Sequence, residues 1–179
     1  MTRILGSCMV KTFVLVCLLF GFVTAEAEKL KVVTTTTMIY DAVKQIGANR
    51  VQVEGLMGAG VDPHLYKPAA SDVIKLTKAD IVFYNGLALE GKMADLFSRL
   101  QKQGKPVYAV TETISKAKLL KPDGVQGHWD PHVWGDPDLW IECVSLIAEN
   151  LMKADPEGTT AYRQAAQAYT KKLSDLKAW

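Results

Sequence analysis

The sequence predicts an α/β fold in which a parallel four-stranded sheet is covered by helices on both faces. Four short runs rich in β-branched residues alternate with segments whose apolar residues recur at helical spacing. Strands and helices that alternate in this way form parallel sheets that are buried on both sides. The chain has 179 residues, 49% of them hydrophobic, which is enough for the core of one such domain.

Residues 1–27 predict a cleaved secretory signal peptide. A basic start precedes an apolar run at 12–23, and small residues follow it. The run is too short for a membrane-spanning helix, which needs about 20 apolar residues. Cys8 precedes the run and Cys17 lies inside it, whereas a lipoprotein carries its cysteine just after the run. We therefore expect a periplasmic protein that begins near Glu28.

The first predicted βα unit, a strand and the helix after it, is followed by the strand that opens a second unit. Leu30–Thr34 is a short β-branched run and predicts the first strand. The run 51–56 alternates apolar and polar residues, as a half-buried strand does. Between them a helix is predicted by the spacing of Tyr40, Val43 and Ile46, and Gly47 ends it.

A glycine-rich loop leads to a short second helix. Ser71 is a suitable capping residue for it, and Val73, Ile74 and Thr77 share one face that we expect to pack on the sheet. The third strand is predicted at 80–84.

The third helix has the clearest amphipathic pattern, and Gly104 ends it before a fourth strand at 106–110. Its apolar face consists of Leu89, Met93, Leu96, Phe97 and Leu100.

Two further helices follow a polar stretch at 111–135 that has no clear period. Asp136 and Pro137 form a predicted cap and first turn. Cys143 lies on the apolar face of that helix, so we expect it to be a core residue rather than a reactive thiol. The last helix extends to the end of the sequence along an apolar stripe of Tyr162, Ala165, Tyr169, Leu173 and Leu176.

The tripeptide Asp-Pro-His occurs twice, at 62–64 and 130–132. The first copy follows the second predicted strand and the second copy follows the fourth. Because the carboxyl ends of parallel strands share one edge of a sheet, His64 and His132 can meet there. Each proline restricts the loop, and each aspartate is within reach to orient its ring. Two aimed imidazoles are candidate ligands for zinc or a similar metal. The alternative is that both are ordinary solvated loop residues.

Other functional classes receive less support. The net charge is only +2, with no basic run, so we expect no nucleic-acid partner. The glycines at 58 and 60 lack the rest of a nucleotide-binding loop, and no serine or cysteine lies in a nucleophile elbow. His128 lies four residues before His132, but Pro131 disfavours a helix there, so we interpret His128 as peripheral.

Three segments carry a family resemblance. The sequences at 55–66 (GLMGAGVDPHLY), 79–90 (ADIVFYNGLALE) and 130–134 (DPHVW) are similar to those of the TroA-like zinc- and manganese-binding solute-binding proteins of ABC transporters. The resemblance implies two α/β lobes joined by a long helix, with a metal held in the cleft by His64 and His132. It implies that 28–157 is the first lobe and that 158–179 begins the interlobe helix. The remaining ligands would then lie in a second lobe, beyond Trp179.

The expected function is therefore capture of Zn²⁺ or Mn²⁺ as a transported ligand, for delivery to the membrane permease of an ABC transporter. Such a receptor is expected to be a monomer at full length and to perform no catalysis. One alternative is a secreted zinc hydrolase in which the two histidines are two of three ligands. Another is a metal-binding surface adhesin of the same fold.

Overall fold

The computed structural model describes residues 28–122 and 128–178, so the predicted signal peptide lies outside it. The strands are β1 (Leu30–Thr34), β2 (Val51–Gly55), β3 (Ile81–Tyr84) and β4 (Val107–Ala109). The helices are α1 (Thr37–Gly47), α2 (Ala70–Lys78), α3 (Ala94–Lys102), α4 (Pro137–Ala154) and α5 (Thr159–Ala178). All strand pairs are parallel, in the order β2-β1-β3-β4. The predicted α/β fold is confirmed.

The sheet separates two hydrophobic cores. Successive strand residues point to opposite faces, so Val32 and Ile81 belong to one core while their neighbours Val33 and Val82 belong to the other. Helices α1, α4 and α5 pack on one another over the first face. Helices α2 and α3 cover the second face. This layering explains why the central strands β1 and β3 are short, mostly apolar runs, whereas the edge strand β2 alternates apolar and polar residues.

Helix α4 follows the sequence prediction closely. The Asp136 carboxylate accepts hydrogen bonds from the backbone N–H groups of Asp138 and Leu139, which caps the helix, and Pro137 occupies its first turn. Cys143 is fully buried in the first core, and burial raises the pKa of its thiol to about 12. The thiol is therefore an inert core group, as predicted.

Helix α2 packs with a different face from the one predicted. Val73 and Ile74 are exposed, and the buried residues of the helix are Asp72 and Leu76. The Asp72 carboxylate accepts hydrogen bonds from the Ala69 N–H, at 2.8 Å, and from the Tyr66 hydroxyl, at 2.7 Å. Asp72 thus caps the helix in place of the predicted Ser71. This anchored carboxylate turns the 73/74 face towards solvent.

Helix α3 also begins later than its apolar pattern predicts. Leu89 is buried, but it lies in a turn before the helix, and Met93 ends a short 3-10 turn. Leu87 and Ala88 adopt φ values of 52° and 64°, in the left-handed region, which no helix can include. A turn that buries its leucine at helical spacing therefore imitates a first helical turn.

The junction of α4 and α5 is tied to the start of β2. Asp155 forms two hydrogen bonds with the Arg50 guanidinium, at 2.7 and 2.8 Å, and accepts one from the Tyr162 hydroxyl at 2.6 Å. Gly158 packs so closely that an added Cβ would lie 2.5 Å from Arg50 Nε. Tyr162 is fully buried, whereas Leu176, predicted to share its stripe, is 60% exposed. No helix in the described part of the chain is long and apolar enough to cross a membrane.

Candidate metal centre

The two Asp-Pro-His loops converge above the carboxyl edge of the sheet. Strands β2 and β4 are the outer strands, yet the loops that follow them bring His64 and His132 together. Their Nε2 atoms are 3.4 Å apart and their ring centroids 5.4 Å apart. Both side chains are exposed and line one open pocket of about 410 Å³. The structure thus brings together the two residues that the sequence singles out.

One hydrogen bond between aspartate and histidine is the same in the two copies. In each, the aspartate Oδ1 accepts a hydrogen bond from the histidine backbone N–H two residues later, at 2.9 Å for both Asp62 and Asp130. Asparagine and aspartate side chains commonly close turns in this way. The repeated tripeptide is therefore a repeated turn that presents a histidine.

The two rings differ in how they are held. Asp130 Oδ1 lies 2.6 Å from His132 Nδ1, whereas Asp62 contacts only the backbone of His64 in the described residues. A carboxylate accepts, so Nδ1 of His132 carries the hydrogen, and in the neutral ring the Nε2 lone pair is then left on the side of His64. The backbone N–H and the ring of His132 both lower the pKa of the Asp130 carboxyl. The prediction that each aspartate orients its ring is correct for Asp130 only.

Aromatic side chains support the His132 loop. Trp134 meets the His132 ring edge to face, with centroids 5.1 Å apart. Trp129 and Trp134 are half-buried against the first core, and Trp140 is buried within it. Trp134 thus packs against the imidazole, and Trp129 and Trp134 attach the loop to the first core.

His128 lies in the same pocket but does not complete a metal cluster. It is exposed and lines the pocket beside Trp129 and Pro131. Within 28–122 and 128–178, no group of three or more His, Cys, Asp or Glu side chains is placed to hold one metal ion. The described residues therefore supply a pair of imidazoles.

Beneath the pair lies a buried polar network that the sequence analysis did not identify as functional. Glu90 is 3% exposed and accepts hydrogen bonds from the Thr35 hydroxyl and from the backbone N–H groups of Asn85 and Gly86. Burial raises the pKa of the Glu90 carboxyl, and these donors oppose that effect. The Asn85 side chain reaches the carbonyl of Pro131 at 3.0 Å. A single asparagine belongs to no repeating pattern. The one sequence signal for Asn85 is therefore its place in the 79–90 segment, which carries the family resemblance.

The chain matches a known family over most of its length. Residues 32–179 match the family model ZnuA, described as zinc-uptake complex component A, periplasmic. The manganese-binding lipoprotein MntA of Bacillus subtilis is 45% identical over 152 residues, which are 85% of this chain and 49% of that protein. The zinc-binding protein TroA of Treponema pallidum is 45% identical over 161 residues, 89% of this chain and 51% of that protein.

The solved structures agree with these sequence matches. The structure of the periplasmic zinc-binding protein TroA from Treponema pallidum superposes with a TM-score of 0.79 at 46% identity. That superposition covers 84% of this chain and 53% of the other. The chain thus spans about half the length of the relatives that it matches. On the family match and these similarities, the chain belongs to the ZnuA family of periplasmic zinc-uptake components.

Proposed function

We propose that the chain is the metal-capturing first lobe of an extracytoplasmic solute-binding protein, which takes up Zn²⁺ or Mn²⁺ for the membrane permease of an ABC transporter. His64 and His132 are the proposed ligands from this lobe. The other ligands come from a second lobe beyond Trp179, joined through α5. The whole receptor is a monomer that binds its cargo and performs no catalysis.

The separation of the two Nε2 atoms carries this proposal. Two nitrogens that bind one zinc ion at about 2.0–2.1 Å with tetrahedral angles are about 3.3–3.4 Å apart. His64 and His132 already have that spacing, at 3.4 Å. Asp130 on the far side of His132 forms the carboxylate–histidine arrangement that is common at metal sites. The pair therefore has the spacing of one edge of a tetrahedral coordination shell.

The relatives support transport over the two alternatives. Those described above are named for binding manganese or zinc, and neither name is that of a hydrolase or an adhesin. A hydrolase would turn over ester, peptide or phosphate substrates in the presence of metal, whereas a receptor binds metal stoichiometrically. Both assays on the purified chain, with the His64→Ala/His132→Ala variant as control, test the proposal. Turnover that needs zinc and is lost in that variant would overturn it.

Export through a cleaved signal peptide belongs to the same proposal. The apolar run at 12–23 and the small residues after it place cleavage after Ala27, so the exported chain begins at Glu28. Mass spectrometry of the envelope fraction tests this directly. Recovery of the chain with its first residues intact would contradict cleavage.

A further inference from the structure

The segment 85–90 after β3 forms a turn that is fixed from several directions. Gly86 has a φ of +87°, and an added Cβ would lie 2.7 Å from Thr111 Oγ1 and 2.9 Å from Ala109 Cβ. Leu87 and Ala88 are also left-handed, a conformation that costs free energy for residues with a side chain. Such a turn persists only where the surrounding contacts determine it. Glu90 supplies two of those contacts, through the backbone N–H groups of Asn85 and Gly86, and the Thr111 hydroxyl supplies another by donating to the Asn85 carbonyl.

Glu90 joins the ends of the two central strands. Its Oε1 accepts hydrogen bonds from the hydroxyl of Thr35, just after β1, and from the backbone N–H of Asn85, just after β3, at 2.7 and 2.8 Å. Its Oε2 accepts one from the Gly86 N–H at 3.2 Å. In this sheet the strand order reverses between β1 and β3. Ligands of open parallel sheets commonly bind at the carboxyl ends of the two strands that flank such a reversal. Glu90 thus anchors Asn85 beneath the two histidine loops.

The Asn85 side chain holds the peptide group that leads into His132. Its Nδ2 donates to the carbonyl oxygens of Pro131, at 3.0 Å, and Gly86, at 3.1 Å. The same Pro131–His132 peptide group carries the His132 N–H, which donates to Asp130 Oδ1 at 2.9 Å. Both polar ends of that peptide group are therefore bound. Since a rigid peptide plane determines where the next Cα lies, the direction of the imidazole is constrained as well.

We propose that Asn85 is a positioning residue of the metal site, which fixes the Pro131–His132 peptide group and, through it, the aim of the His132 imidazole at His64. The Pro63 carbonyl, the equivalent group in the first copy, has no side-chain donor among the described residues. Asn85 therefore acts on one ligand of the pair. The inference rests on the proposed function, because it assigns His132 as a ligand.

The amide nitrogen of an asparagine is suited to this place, although the buried Oδ1 has no hydrogen-bond partner among the described residues. The amide nitrogen has two hydrogens, and it meets two carbonyl oxygens. An aspartate would put carboxylate oxygens against those carbonyls, and a leucine would fill similar space with no donor. Asn85 is fully buried, so water cannot easily replace the lost donor.

The test is a double-mutant cycle on the purified chain, with Zn²⁺ as the probe and binding followed by NMR up to millimolar zinc. Asn85→Ala is made as a single variant, in combination with His64→Ala, and in combination with His132→Ala. The two single histidine variants complete the cycle. We expect about 10-fold weaker zinc binding from Asn85→Ala in the parent and in the His64→Ala background, as is usual for groups that orient metal ligands. In the His132→Ala background we expect no further loss, because Asn85 acts through His132. A general structural effect would weaken binding equally in both backgrounds.

A matched control separates positioning from loss of a buried amide. Asn150 is also buried, and its Nδ2 donates to the Leu146 carbonyl within α4. Asn150→Ala should leave zinc affinity unchanged within twofold. Asn85→Leu, which keeps the branched shape of the side chain but has no donor, should reproduce Asn85→Ala, and urea unfolding verifies that each variant is folded.

Three results would overturn the positioning role: equal losses in the two histidine backgrounds, no loss from either Asn85 variant, or failure of both Asn85 variants to fold. The last would assign Asn85 to stability of the domain. If neither histidine variant changes zinc affinity, the proposed function itself fails. If both do so while the Asn85 variants do not, only the positioning role fails.

Discussion

His64 and His132 present their Nε2 atoms to each other across 3.4 Å, although 68 residues separate them in sequence. Each ring belongs to the third residue of an Asp-Pro-His turn. The two turns follow β2 and β4, the outermost strands of the sheet. Neither imidazole is needed for the core, because both are exposed. A juxtaposition of exposed side chains from two separate loops indicates a binding role more than a structural one.

Replacing either imidazole should weaken metal binding without unfolding the chain. We expect His64→Ala and His132→Ala each to lower zinc affinity at least about 10-fold. Loss of a residue that only orients a metal ligand commonly costs this much, and loss of the ligand itself should cost no less. His128→Ala should change it less than twofold, because the close pair of Nε2 atoms is formed by His64 and His132. Calorimetric or NMR titration measures the affinities. An equal loss from His128→Ala would refute the assignment.

The two aspartates should differ in their effect. Asp130 contacts both the backbone and the ring of its histidine, and Asp62 contacts the backbone. Asp130→Asn should therefore lower zinc affinity about 10-fold, since it removes the carboxylate that orients the ring. Asp62→Asn keeps a side-chain oxygen for the His64 N–H and should have a smaller effect. If Asp62→Asn weakens binding as much as Asp130→Asn, the asymmetry between the rings has no functional meaning.

The Asp155 cluster should contribute to stability in a pH-dependent way. Hydrogen bonds from Arg50 and Tyr162 lower the pKa of Asp155 from 3.8 to about 2. A carboxyl with a depressed pKa stabilises the folded state above its unfolded pKa, and this contribution is lost as the pH falls through the folded pKa. Asp155→Asn should thus lower the free energy of unfolding at pH 7, and its difference from the parent should shrink between pH 4 and pH 2.

Urea unfolding measured across that pH range provides the check. Tyr162→Phe removes only the hydroxyl hydrogen bond to Asp155 and should cost about 1 kcal/mol. Asp175→Asn is the matched control, since Asp175 pairs with Lys171 on the exposed surface of α5 and should contribute little. A difference between Asp155→Asn and the parent that stays constant down to pH 2 would contradict the mechanism.

How far the sequence predicts the structure depends on which interaction decides each element. Strand β1 is predicted to the residue, because a buried β-branched run between polar residues has one interpretation. The cap of α4 is also predicted, since Asp-Pro before an apolar helix is a local signal. The face of α2 is not, because the Asp72–Tyr66 hydrogen bond outweighs two apolar residues.

The site is predicted to a similar extent. The repeated tripeptide identifies His64 and His132, and the parallel topology explains why they meet. The 3.4 Å spacing depends on loop conformations that no local pattern encodes. Asn85 and Glu90 act through contacts between strand ends that are far apart in sequence, so their role becomes visible only in the fold.

By itself the 179-residue chain should bind zinc weakly. Two imidazoles leave two tetrahedral positions to water, and no described carboxylate completes the cluster to neutralise the charge of the ion. Equilibrium dialysis against buffered Zn²⁺ and Mn²⁺ should give dissociation constants above the micromolar range. Submicromolar binding of one ion per chain would show that this lobe alone carries a complete site.

The central claim is that His64 and His132 bind one metal ion jointly, and zinc titration of the imidazole ¹⁵N signals by NMR tests it most directly. Joint binding predicts that the Nε2 signals of both rings shift in one transition, with a common midpoint and one zinc per chain, while the His128 ring stays unchanged through it. Separate midpoints for His64 and His132, or a transition that involves only one of them, would contradict the claim.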